Sequence, residues 1–196
     1  MMLNAKEENR KALASLLGID EEEAAEKLQT KVVVTVADPA AAAFASDLSQ
    51  LIGKTLQVVS ADAGPDIEIA LGGPASTDAP VRMVASMSGD GLTVGSAVVR
   101  PEWSAVPRFN ERICTCYAAG VAIARAIGKA CPDPFTVGFR ALGIPVRYAP
   151  VVFEDDVLAG CGGVGTGFLW ALQAVQTSGR LTVVDGKNVS GGNLNR

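Results

Sequence analysis

The sequence predicts an α/β protein built on a mostly parallel sheet with flanking helices. Short β-branched runs, notably Lys31–Val36 and Ile67–Leu71, alternate with apolar segments of helical period. The segment 164–177 is about the length that a crossover between two parallel strands requires. One turn signal, Ser88-Gly89-Asp90-Gly91, adds a single antiparallel hairpin.

Residues 1–30 form a short N-terminal helical segment. Residues 5–17 suit an amphipathic helix with Leu13, Leu16 and Leu17 on one side, ended by Gly18. Asp20 followed by Glu23 resembles a capping box opening a second helix through Leu28. Two such helices bury little alone and must dock on a neighbour. Residues 31–131 read as an α/β module. Its first strand is Lys31–Val36, and Pro39 then opens an alanine-rich helix to Ile52. Strands follow at 56–60 and Ile67–Leu71, then a hairpin at 81–86 and 92–99. A long helix over 110–129 carries Ile113, Tyr117, Val121, Ala124 and Ile127 along one stripe. The Pro/Gly-rich stretch 132–150 reads as a connector with one short strand at 136–140. Residues 151–196 hold a last strand-helix-strand unit: 157–159, 164–177 and 180–185.

Composition narrows the function. With 48% hydrophobic residues in a chain of 196, a packed core is affordable and disorder is excluded. The net charge of −4 favours neither nucleic acid nor an anionic membrane as partner. The chain has no histidine, which removes His-based general-base triads and the commonest zinc ligand. Cys114, Cys116, Cys131 and Cys161 match neither a zinc site nor a disulfide framework. The N-terminus lacks an apolar signal core, and the apolar stretch 114–130 contains Arg125 and Lys129 and is too short to span a bilayer. A cytoplasmic location is expected.

The chemistry concentrates near the C-terminus. Gly160-x-Gly162-x-x-Gly165, with Gly163 between, lies between a strand and a helix, and Asp185 ends the next strand. Glycines permit a tight turn and close backbone approach, and a helix N-terminus offers free N–H groups to phosphate. Asp185 would accept hydrogen bonds from ribose hydroxyls. The class is therefore Rossmann-like. This pattern serves both a nicotinamide-dependent oxidoreductase and an adenylating enzyme. The glycines alone would also serve a plain strand-to-helix turn.

The loop at 157–165, the strand-end Asp185, and the run Gly-Gly-Asn-Leu-Asn-Arg together resemble the ThiF/MoeB family, which includes the ubiquitin-activating enzymes. The family signature is a G-x-G-G-x-G loop, a strand-end Asp and an N-L-x-R segment eight residues later. Here Asn193 follows Asp185 by eight residues, and Arg196 follows Asn193 by three. The resemblance covers residues 157–196. It implies ATP and magnesium as cofactors and adenylation of the C-terminal carboxylate of a ubiquitin-like or sulfur-carrier protein. It assigns Gly160, Gly162, Gly163 and Gly165 to the phosphate loop, Asp185 to the ribose, and Asn193 and Arg196 to the phosphates. Arg196 would be the catalytic cation, stabilising charge on the α-phosphate and the departing pyrophosphate. The family's lysine and magnesium-binding aspartate come further downstream, so no metal ligand is assigned here. The C-terminal unit thus reads as truncated, able to bind nucleotide weakly but not to complete catalysis. A homodimer is compatible with this family. The rival readings are a non-catalytic nucleotide-binding or protein-interaction module and an NAD(P)-dependent oxidoreductase; Asn193-Leu-Asn-Arg has no role in the latter.

The earlier strand-helix-strand, residues 33–59, repeats the order of 157–184, with Asp38, Pro39 and alanines where the glycines stand. If it is a true repeat, alanine Cβ atoms and a rigid proline would keep a pyrophosphate off its backbone. Any two such units would also look alike by chance. Glu154-Asp155-Asp156 suits a solvated turn, Cys114 and Cys116 suit opposite faces of the long helix, and Trp103 and Trp170 suit packing.

Overall fold

The computed structural model describes residues 5–98, 100–145 and 147–186. Chain order is α1 (Ala5–Leu17), α2 (Glu21–Leu28), β1 (Lys31–Val36), α3 (Ala42–Ile52), β2 (Gln57–Val58), β3 (Ile67–Leu71), β4 (Val81–Ser88) and β5 (Gly91–Gly95). It continues with α4 (Arg108–Ala126), β6 (Phe135–Gly138), β7 (Val151–Ala159), α5 (Gly163–Leu172) and β8 (Thr177–Val184).

Six strands form one sheet in the order β2-β1-β3-β4-β5-β6. β1 is parallel to both β2 and β3, and β3 is parallel to β4. The β4–β5 and β5–β6 pairings are antiparallel. This is the expected α/β class with its mostly parallel sheet, flanking helices and one hairpin excursion. Among the described residues no helix is long and apolar enough to cross a membrane.

α3 and α4 pack together on one face of this sheet. Phe44, Leu48 and Ile52 of α3 meet Val32, Ile67, Ile69, Leu71, Met83 and Leu92 from the strands in one buried cluster. The face of α4 that joins them is Cys114, Ala118, Ala119, Val121 and Ala122. Of the expected stripe, Val121 and Ile127 are buried, whereas Tyr117 is exposed. Small side chains on α4 bring it close to the sheet, so residue size rather than hydrophobic bulk marks the buried side. Burial, with the Glu111 carboxylate nearby, pushes the Cys114 thiol up to about 12. α1 and α2 dock through Leu13, Ala14 and Ala24 onto Ile127, beyond the end of α4. The Asp20 carboxylate caps α2 by accepting from the Glu23 N–H at 2.8 Å.

The stretch read as a connector supplies β6, which pairs with β5 over Gly91–Gly138 to Val94–Phe135, so the sheet continues past residue 131. Tyr148 donates to the Asn110 side chain, and Asn110 donates to the Pro145 carbonyl at 3.3 Å, so the rest of that stretch is tied to α4.

All five residues of β3 are buried, including Glu68. Ile67, Ile69 and Leu71 join the helix-side cluster, and Glu68 faces the other side of the sheet. There the carboxylate accepts five hydrogen bonds. The Ser76 and Thr77 backbone N–H groups donate at 2.8 Å each. The hydroxyls of Thr35 and Thr77 donate at 2.8 Å and that of Ser76 at 3.1 Å. Burial opposes the charge, yet the Ser76 and Thr77 donors outweigh it and hold the carboxyl down from its usual 4.5 to about 2.

A depressed folded-state pKa contributes stability that is present above pH 4.5 and is lost as pH falls toward 2. The wild-type chain is expected to lose about 3 kcal/mol across that window from this group alone. Glu68→Gln should cost about 2–4 kcal/mol at pH 7 by breaking the donor nest. It should also flatten this part of the acid limb. Denaturant titrations at pH 7 and pH 3 measure both effects; equal acid sensitivity in the two proteins would refute the assignment.

Candidate functional site

β7, α5 and β8 form the strand-helix-strand unit expected from the sequence, with β7 and β8 parallel. β7 is longer than expected, starting at Val151, and Glu154-Asp155-Asp156 lie within it rather than in a turn. A register irregularity between Phe153 and Asp156 lets these polar residues sit in the strand. Asp155 pairs with Arg180 of β8 at 2.9 Å.

The glycines stand at the strand-to-helix turn. Gly160 follows β7 with φ +93°, a conformation open to glycine at little cost, and its N–H donates to the Val184 carbonyl at 2.7 Å. Gly162 is the N-cap of α5 in extended conformation, and no side chain caps the helix. Gly165 is buried, and a Cβ there would drive into the Gly160 carbonyl oxygen. The close approach of helix to loop therefore requires this glycine. The first intrahelical bond is Thr166 N–H to the Gly162 carbonyl at 2.9 Å. The N–H groups of Gly163, Val164 and Gly165 precede it and are left to point out of the helix end. The Thr166 hydroxyl donates to the Cys161 carbonyl at 2.9 Å, bracing the loop from inside.

Asp185 reaches this loop: its carboxylate accepts from the Cys161 N–H at 2.6 Å. Strand end and loop are thereby joined, and the loop glycines also line a cavity of about 510 Å³ together with Leu158, Val164 and Phe168. The donor set is one of backbone N–H groups plus a single carboxylate, which suits phosphate and sugar rather than a metal ion. The structure thus brings Gly160, Gly162, Gly163, Gly165 and Asp185 together. Asn193 and Arg196 lie outside the described residues.

The corresponding turn after β1 is closed. Ala37 and Asp38 donate their N–H groups to the Leu71 carbonyl at 3.0 and 3.4 Å, bridging the crevice where the strand order reverses. Ala37 packs directly on Gly73, and Trp103 lies edge-to-face on Phe44 with ring centroids 4.9 Å apart. The Asp38 carboxylate accepts from the Ala40 N–H at 2.9 Å, so the helix start carries its own anion.

The sequence signals did not reveal the contact between the two units. Arg112 of α4 donates to the Trp170 carbonyl of α5, and its guanidinium lies 4.6 Å from the centroid of the Trp170 ring. Asp47 of α3 lies 3.5 Å from Arg112 and 2.7 Å from Arg108, which also pairs with Glu111 at 2.8 Å.

A family model described as the E1 N-terminal domain matches residues 2–145, ending before β7 and the glycine loop. No curated protein matches the chain. Among solved structures, one described as "Heterocyclase in complex with substrate and Cofactor" aligns at 10% identity and a TM-score of 0.41. The alignment covers 66% of this chain and 26% of that one, so the chain spans about a quarter of that structure's length.

Two glycines of α5 separate packing from propensity. Gly165→Ala is expected to destabilise the β7–α5–β8 unit by about 1–3 kcal/mol, the usual range for overpacking. At Gly167 a Cβ would meet nothing. Gly167→Ala should therefore stabilise α5 by up to about 1 kcal/mol through helix propensity. Amide hydrogen exchange of α5 measures both, and equal effects would contradict the described loop-to-helix contact.

Proposed function

The chain belongs to the E1 N-terminal domain family, and from that premise we propose that it joins a scaffold module to the ATP-binding loop of an adenylating enzyme. The substrate class is the C-terminal carboxylate of a ubiquitin-like or sulfur-carrier protein. The observation that carries the reading is the set of amides at Gly163, Val164 and Gly165, which lack intrahelical partners among the described residues, beside a tight loop whose close approach to the helix Gly165 permits. Backbone N–H groups and the positive end of the α5 dipole bind phosphate without a side chain.

The residues divide the work. Gly160, Gly162, Gly163 and Gly165 admit the phosphates to the backbone. Asp185 orients the ribose while holding the Cys161 N–H, which ties the strand end to the loop. Asn193 and Arg196 are proposed for the phosphates, Arg196 meeting the charge that develops on the α-phosphate and pyrophosphate. ATP, with its magnesium, would supply the adenylyl group. The module of residues 2–145, with its β1 turn closed by Asp38, acts as scaffold rather than as a second nucleotide site. That closure also favours a second role for this module in holding the carrier protein or another partner, for which nucleotide binding is not needed.

Titration calorimetry with ATP and magnesium, AMP and NAD tests the ligand. Adenine nucleotide should bind more tightly than NAD, and a tighter NAD complex would overturn the reading. Asp185→Ala should weaken ATP binding by about 1–3 kcal/mol, the range for hydrogen bonds made by a charged group. Asp185→Asn, which keeps an acceptor for the Cys161 N–H, should recover part of that loss.

A further inference from the structure

α5 is poorly equipped to hold its own position. It has ten residues, three of them glycine, no side-chain N-cap and no basic residue in its last turn. Each interior glycine costs about 1 kcal/mol of helix stability relative to alanine. The strands beneath it, β7 and β8, pair only with each other among the described residues. Yet the N-terminus of this helix carries the glycine loop, whose amides must keep a fixed direction to bind an anion.

What the helix lacks at its C-terminal end is supplied by the other module. The Trp170 carbonyl belongs to the last turn, where the negative end of the dipole and the unpaired carbonyls lie. The Arg112 guanidinium donates to it and covers the face of the Trp170 ring at 4.6 Å. Arginine is suited to this double contact because its planar cation stacks and donates at once. Asp47 of α3 lies 3.5 Å from Arg112, an ion pair without a hydrogen bond, and both side chains are only 12% exposed. The remainder of the interface is loose. A cavity of about 430 Å³ separates α3 and α4 from α5, with Leu51, Ala119 and Gly120 on one wall and Gly163 and Gly167 on the other. The contact is concentrated at the Trp170 end, and the loop end stands free.

We propose that Arg112 is a positioning residue: from the N-terminal module it fixes α5 by its last turn and thereby sets the direction of the glycine-loop amides. The closed module thus governs the affinity of the open one. The ligand part of this proposal rests on the nucleotide reading above; the mechanical part does not.

The test uses the whole chain with Arg112→Ala, Arg112→Lys and Asp47→Asn. Amide hydrogen exchange is followed by segment, with ATP and magnesium as the titrated probe. Arg112→Ala should speed exchange over α5 and residues 160–166 by roughly tenfold, the scale of a lost charged hydrogen bond with a partly desolvated cation–π contact. β1, β3 and β4 should keep wild-type exchange, which a general loss of folding would not allow. ATP affinity should fall by a similar factor. Arg112→Lys, which can donate but not stack, should recover part of both effects, and Asp47→Asn should give a smaller loss than Arg112→Ala. Wild-type exchange over α5 in Arg112→Ala would overturn the proposal. So would faster exchange spread evenly over the six-stranded sheet. Faster α5 exchange in a chain whose wild type binds no ATP would uphold the clasp and overturn the nucleotide reading instead.

Discussion

The charge of Glu68, placed in the middle of the most buried strand, constrains much of the N-terminal module. Among the described residues no cation pairs with it, so dipoles from Ser76, Thr77 and Thr35 stabilise it instead. An unsatisfied buried carboxylate would be intolerable, so the segment after β3 must fold back over the open face of the sheet to deliver those donors. That return path begins at Gly72-Gly73, and it presses Gly73 against Ala37 at the end of β1. The crevice at the strand reversal is thereby filled with protein. The buried Glu68 charge and the filled turn after β1 depend on the same chain path.

The two strand-helix-strand units then divide in character. After β1, a carboxylate and a proline occupy the helix start, and the backbone groups are already paired. After β7, glycines occupy it, and three amides lack intrahelical partners among the described residues. The same local geometry gives a sealed support in one case and an open helix end in the other, decided by a few side chains. The support is large, with a helix layer and a six-stranded sheet. The site is small, with two strands and one glycine-rich helix. Its stability must come in large part from outside its own sequence.

Much of this was legible in the sequence because it depends on local pattern. β1, β3, the hairpin turn, the proline-started α3 and the glycine turn follow from β-branched runs, turn residues and close-approach glycines. Three features were not legible. The buried side of α4 is marked mainly by Cys114, Ala118 and Ala122, whose small size signals proximity to the sheet, whereas a hydrophobic stripe finds Val121 and Ile127 but also draws attention to Tyr117, which is exposed. β7 begins at Val151 because an irregular register accommodates the acids at 154–156, which by composition suit a turn. Glu68 and Arg112 find their partners through loop geometry and through a contact 58 residues apart, which no periodicity reports. Of the residues singled out for the nucleotide, the glycines and Asp185 converge, while Asn193 and Arg196 fall outside the described residues.

Cys114 and Cys116 lie two positions apart on α4 but on different sides of it. Cys114 is fully buried, with its thiol raised to about 12, so in the closed fold it is neither accessible nor ionised. Cys116 is exposed on the side facing α5, and partial burial with the Asp47 carboxylate nearby raises its thiol. One helix therefore carries two thiols whose reactivities answer different questions. Modification of Cys116 reads access to the space between the modules. Modification of Cys114 requires α4 to lift from the sheet. The gap between their labelling rates, corrected for intrinsic thiol reactivity, is a clock for how often the core opens.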